Sequence, residues 1–211
     1  MTPAFVLYVD ARHVSPYAMS AYVALAEKGV PFALEHVDLG AGGHQAPGYA
    51  AHSLTRRVPM LRHGEFFLSE SSAIAEYLDE LLPAPGYRAL YPEGREARAR
   101  ARQVQAWLRS DLTGLREARP TTAVFGPSLD SALTPAAEAD RERLVALVEA
   151  LLPTDAEHLF GAWSIADTDL ALMLQRLLHN GDALPARLAA YAAAQWRRAG
   201  VTRWLALPRP F

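Results

Sequence analysis

The chain has 211 residues, 51% apolar and 21% charged, with a formal net charge of −2. That composition excludes a disordered or fibrous chain, allows a sizeable core, and offers no global basic field for nucleic acid or anionic membrane. Cysteine is absent, which excludes a disulfide framework, an iron–sulfur site, a CxxC redox pair and a protein thiolate nucleophile. Any sulfur chemistry must use a thiol carried in by a ligand. Met1 to Asp10 has no basic flank ahead of an apolar run, and no stretch approaches the roughly 18 apolar residues of a membrane span. A cytoplasmic protein is expected.

Phe5 to Val9 is a continuous apolar, β-favouring run that suits a buried strand. Ser15-Pro16 opens a helical stretch that ends at Lys28-Gly29. Serine is a good N-cap, proline fits the first helical position, and glycine suits a left-handed stop. Phe32 to Leu39 reads as a second strand, followed by the loop Gly40-Ala41-Gly42-Gly43. Val58 to Leu61 and Phe66 to Leu68 read as strands around a His63-Gly64 turn, and a helix is predicted from about Ser69 to Leu82. This β-α-β-loop-β-β-α order calls for one parallel pair and one antiparallel hairpin.

Residues 83–92 hold three prolines and a glycine and read as a linker. Beyond them the pattern is helical. Predicted helices cover about Glu93 to Arg119, about Pro135 to Leu152, and a stretch from Ser164 that is apolar on most sides and so belongs in a core. The fold class is α/β for residues 1–82 and all-α for residues 93–211.

Four local features carry chemistry. Ser15 follows the first strand, so its hydroxyl is either a plain N-cap or a donor to an anion at the positive end of a helix. For a thiol ligand that setting favours thiolate. Lowering a thiol pKa of about 8.5 by two units takes only roughly 2.7 kcal/mol, within reach of a charge-assisted hydrogen bond plus a helix dipole. Val58-Pro59 is either a trans proline at a strand start, the default, or a cis bond that turns the Val58 backbone outward to pair with an extended peptide. Glu70-Ser71-Ser72 is either an acidic first turn or a clamp for an α-amino acid, with Glu70 on the ammonium and Ser71 on the carboxylate. Ser164-Ile165-Ala166-Asp167 reads as a capping box, a structural element. Seven histidines show no i, i+4 helical pair, and no metal site is expected. The arginines from Arg95 to Arg109 are interrupted by Glu96 and read as a solvated or subunit-facing helix rather than a nucleic-acid surface.

Taken in order, the strand, Ser15-Pro16-Tyr17, Val58-Pro59, Glu70 to Leu78, the proline-rich linker, the helical second half and the capping box resemble a glutathione transferase over nearly the whole chain. Thr55 to Pro59, Leu68 to Leu78, Arg98 to Leu112 and Trp163 to Leu172 are similar to the bacterial YfcF-type members of that family. The resemblance implies a thioredoxin-like N-terminal domain (1–82), a linker (83–92) and an all-α C-terminal domain (93–211), assembled as a homodimer. It implies glutathione as co-substrate and a detoxification or oxidative-stress role, with no metal.

Carried over residue by residue, the resemblance puts Ser15 at the glutathione sulfur, Val58 on the cysteinyl backbone and Pro59 as a cis proline. It puts Glu70 and Ser71 on the γ-glutamyl group, and His44 and Arg57 at the glycine end. Tyr17, Trp107 and Asp111 are candidates for the electrophile pocket. The implied activity is conjugation of the glutathione thiolate to small electrophiles. The alternatives are glutathione-dependent peroxide or disulfide reduction, and a non-catalytic binding protein on the same fold. Absence of cysteine argues against members that form a mixed disulfide through their own thiol, and Arg12-His13-Val14-Ser15 lacks the Ser-Ser-Cys motif of the isomerase-like class.

Overall fold

A computed structural model describes residues 4–209. The first three and last two positions of the expected domains lie outside them. The strands are β1 (Phe5–Asp10), β2 (Phe32–Val37), β3 (Met60–His63) and β4 (Phe66–Ser69). The helices are α1 (Pro16–Lys28), α2 (Pro47–Ala50), α3 (Ser71–Leu81), α4 (Arg95–Ser110), α5 (Thr113–Ala118), α6 (Thr122–Phe125), α7 (Pro135–Leu151), α8 (Ile165–Leu178), α9 (Ala186–Trp196) and α10 (Ala199–Leu205).

The strands form one mixed sheet in the order β2-β1-β3-β4. β1 runs parallel to β2, with Phe5 opposite Phe32, and antiparallel to β3, with Tyr8 opposite Met60. β3 pairs antiparallel with β4, with Met60 opposite Ser69. The apolar run of β1 therefore fills the position buried on both faces, and Leu7 and Val9 are fully buried. α1 and α3 pack together and against the strands. On the opposite face Tyr49 joins Val37, Val58 and Met60 in one cluster with Tyr8 and Phe67.

The ends of α1 follow local chemistry. The Ala18 N–H donates to Ser15 Oγ at 3.2 Å, and Gly29 closes the helix at φ 68°. Lys28, the chain's single lysine, is buried. Its Nζ donates to Asp79 Oδ1 at 2.9 Å and to the Leu82 carbonyl at 2.8 Å. Asp79 also accepts the Leu90 N–H at 2.8 Å, so one carboxylate ties α1 to the chain leaving α3.

Two compact units result. The first comprises the described residues up to Leu90 together with those from Thr202 on; the second is Tyr91–Val201. In the second unit α8 packs against α4, α6 and α9, as its apolar surroundings require. Ser164 and Asp167 form the reciprocal capping box, worth on the order of 1 kcal/mol.

The single helix expected over Glu93 to Arg119 is two. α4 ends at Ser110, and Leu112 adopts φ 57°. The Asp111 carboxylate accepts the Leu112 N–H at 2.7 Å, giving the backbone an alternative to the helical ladder. Strand β2 stops at Val37, and Gly40 to Ala50 holds a 3-10 turn (Gly43–Gln45) and α2 rather than an open loop. Gly43 is required there: a Cβ would meet the Asp38 carbonyl at 2.9 Å.

Candidate functional site

The site is built on the turn between β1 and α1. Asp10, buried at the end of β1, accepts the Val14 N–H at 2.8 Å and the Ser15 N–H at 3.0 Å. Its two oxygens thus shape the turn. Ser15 is left extended (φ −73°, ψ 120°) as the N-cap of α1. Ser15 Oγ accepts the cap bond from Ala18, and no acceptor among the described residues takes its O–H proton. The hydroxyl can therefore donate outward, at the positive end of a 13-residue helix.

Ser15 lines a cleft of about 380 Å³ with Leu39, His44, Gln45, Thr55, Arg56, Arg57 and Val58, a size suited to a small-molecule ligand. Arg56 and Arg57 are exposed; Arg56 reaches Gln45 Oε1 at 3.3 Å. His44 Nδ1 and Thr55 Oγ1 are buried without a hydrogen-bond partner. The Arg57 carbonyl accepts the Tyr49 hydroxyl at 2.7 Å. Burial pushes that phenol's pKa up to about 12, so it stays a donor. Val58 is packed by its side chain, and its backbone N–H and C=O have no hydrogen-bond partner among the described residues. The Val58–Pro59 peptide bond is cis.

Of the residues expected at a site, the cleft brings together Ser15, His44, Arg57 and Val58. Pro59, Glu70 and Ser71 sit beside its lining. Continuing the β3–β4 register one step sets Glu70 opposite Pro59. Glu70 is exposed and held at φ 73° at the head of α3, while Ser71 is buried. A non-glycine residue at that φ costs on the order of 1–3 kcal/mol and concentrates at functional sites. Tyr17 is half-buried on the first turn of α1. In the second unit, Trp107 Nε1 donates to Asp111 Oδ2 at 3.0 Å and Arg143 reaches Asp111 Oδ1 at 3.1 Å. The Leu112 N–H, followed by these partners, holds the Asp111 carboxyl below the usual range.

Leu39, Gln45, Thr55 and Arg56 complete the lining and were not in the expected set. Thr55 and Arg56 stand in the same segment as Arg57-Val58, the only local signal for them. Asp10 and His13 also belong to the site's surroundings and carry no local signal in the sequence. His13 is buried (2% exposed) at φ 50°. Its Nδ1 lies 2.6 Å from the Pro208 carbonyl and its Nε2 lies 2.9 Å from His36 Nε2. Burial, first, lowers the His13 pKa; the Pro208 carbonyl and Asp10 oppose this, and His36 and Arg209 reinforce it.

Comparison with known proteins identifies the architecture. Residues 14–81 match the model of the glutathione S-transferase N-terminal domain, and residues 94–209 match that of the C-terminal domain. The chain belongs to the glutathione S-transferase family. It is 46% identical to a glutathione transferase homolog from Burkholderia gl BGR1 solved with bound glutathione, covering 95% of this chain and 96% of that one, with a TM-score of 0.80. A theta-class enzyme from Xanthomonas axonopodis pv. citri, also with glutathione bound, shares the fold at a TM-score of 0.77 and 23% identity, covering 98% of this chain and 99% of that one. Human glutathione S-transferase theta-1 is 35% identical over 106 residues, which is 50% of this chain and 42% of that protein. The chain thus spans about half the length of the curated relatives it matches. No helix among the described residues is long and apolar enough to cross a membrane.

Proposed function

We propose that this protein is a glutathione transferase of the bacterial YfcF type, in which the Ser15 hydroxyl stabilises the thiolate of bound glutathione. The observation that carries the reading is the Ser15 hydroxyl itself. It caps α1, retains its proton for a ligand, and lines a cleft whose other wall is the unpaired backbone of Val58. An extended tripeptide adding to Val58 as a short strand brings its cysteinyl sulfur toward the helix N-terminus. Arg57 and His44 then meet the glycine carboxylate, and Glu70 and Ser71 the γ-glutamyl group.

The chemistry is positioning plus charge stabilisation. The thiol loses its proton to solvent, and the sulfur anion accepts the Ser15 O–H. The thiolate attacks an electrophilic carbon: a C–S bond forms, the carbon–halogen bond of an aryl halide breaks, and halide leaves with the electron pair. With a hydroperoxide, the same thiolate attacks the terminal oxygen: an S–O bond forms, the O–O bond breaks, the alkoxide leaves and takes a proton from solvent, and a second glutathione converts the sulfenic acid to glutathione disulfide and water. The chain has no cysteine, so neither reaction passes through a protein thiol. Tyr17, Trp107 and Asp111 are proposed to border the electrophile; the working unit is a homodimer acting in the cytoplasm.

Calorimetric titration with glutathione, followed by parallel assays on an aryl halide and an organic hydroperoxide, tests the reading. Binding with turnover of the halide supports conjugation, and faster turnover of the hydroperoxide makes peroxide reduction the main activity. No binding at millimolar glutathione leaves only a scaffold on a reused fold.

A further inference from the structure

The Ser15 turn is held from behind by residues 204–209. A carbonyl oxygen only accepts, so the 2.6 Å contact to Pro208 makes His13 Nδ1 the donor. In the neutral ring Nε2 is then the acceptor, and His36 Nε2–H donates to it. The ring also meets the edge of Trp204, centroids 5.5 Å apart, and Trp204 in turn packs on Tyr22 of α1 at 5.3 Å. Arg209 closes this segment on itself by donating to the Trp204, Leu205 and Leu207 carbonyls. All these residues belong to the first unit.

The His13 backbone is as constrained as its ring. Its N–H donates to the Asp10 carbonyl at 3.0 Å while the Asp10 carboxylate holds Val14 and Ser15. A left-handed residue persists only where its surroundings over-determine it. Here the fixing contacts come from β2 and from a segment 195 positions along the chain.

We propose that His13 is a positioning residue for Ser15 and that the segment 204–209, through the Pro208 carbonyl, keeps it in place, so that this segment sets the donor geometry at the thiolate. This rests on the glutathione reading above. None of these residues lines the cleft, so the segment 204–209 acts on ionisation of the bound thiol rather than on capture of the tripeptide.

The test compares the wild-type chain, His13→Leu, His13→Asn and a chain ending at Leu207. Glutathione Kd is measured by calorimetry and the bound thiol's pKa by ultraviolet thiolate absorbance. Leucine removes both ring contacts, and the shortened chain removes the Pro208 carbonyl together with the Arg209 ties to the Trp204, Leu205 and Leu207 carbonyls while leaving the His13 side chain present. Asparagine tolerates a left-handed backbone and presents an amide donor near the place of Nδ1. The expected result for His13→Leu and the shortened chain is a thiol pKa raised by about one unit, a Kd within about twofold of wild type at about pH 5.5, where the bound thiol is protonated, and a roughly threefold lower kcat/KM at about pH 7; His13→Asn recovers most of this. Should His13→Leu fail to fold, the shortened chain carries the same comparison. A thiol pKa unchanged in the folded variants, beside a depressed one in wild type, overturns the proposal and leaves the function standing. A wild type that binds no glutathione overturns both.

Discussion

The two sides of the cleft are held in opposite ways. On the Ser15 side, a buried carboxylate, a buried histidine and a helix cap converge on one turn, with bonds of 2.6 to 3.2 Å. On the far side, His44, Gln45, Arg56 and Arg57 stand on exposed or half-buried backbone, tied together by one 3.3 Å contact. The Arg57 carbonyl is held there from below by Tyr49. The difference separates two tasks. A hydrogen bond that ionises a thiol must be placed closely, whereas cations that meet a carboxylate act over several ångströms and tolerate motion.

Removing the Ser15 hydroxyl strikes the rigid side directly. Ser15→Ala deletes a charge-assisted bond worth about 1.5–3 kcal/mol, so kcat/KM near neutral pH is expected to fall roughly 10- to 100-fold, with the loss shrinking as pH rises. A pH-independent loss breaks the contrast. Asp10→Ala unseats the same turn while leaving Ser15 present. Two half-buried N–H groups lose their acceptor, at about 1 kcal/mol each; denaturant unfolding should show the destabilisation, and kcat/KM should drop roughly tenfold.

The exposed side answers differently. Arg57→Ala is expected to raise glutathione Kd roughly 1.4- to 5-fold, by the roughly 0.2–1 kcal/mol of an exposed ion pair, without changing the bound thiol's pKa. Added salt should shrink that difference; a Kd ratio independent of salt contradicts the carboxylate role.

The smallest effect concerns protons. Asp10, His36 and Arg209 face the His13 ring, and burial keeps it neutral to lower pH than in the unfolded chain. The unfolded state therefore binds more protons as pH falls below about 6.5, and stability declines with it. Melting temperature between about pH 7.5 and about pH 5.5 should fall more for wild type than for His13→Asn. Parallel curves would mean that His13 carries no such linkage.

What could be read in the residues follows from the range of the forces involved. β1, the caps of α1 and the Ser164–Asp167 box are local patterns, and each formed where its residues stand. Ser15, His44, Arg57 and Val58, candidates from the sequence, share one cleft. The break at Asp111-Leu112 was hidden because a carboxylate that takes the next residue's N–H leaves no mark on apolar spacing. Asp10 ended a strand and read as nothing more. His13 had only a lone histidine to show, since its partners are Pro208 and His36, and Trp204 likewise joins it from far along the sequence.

The thiol pKa of glutathione bound to wild type and to Ser15→Ala measures the central claim most directly. The account predicts a wild-type value about two units below the roughly 8.5 of a free thiol, moving back toward 8.5 when the hydroxyl is gone. The same depressed value in both proteins would contradict it.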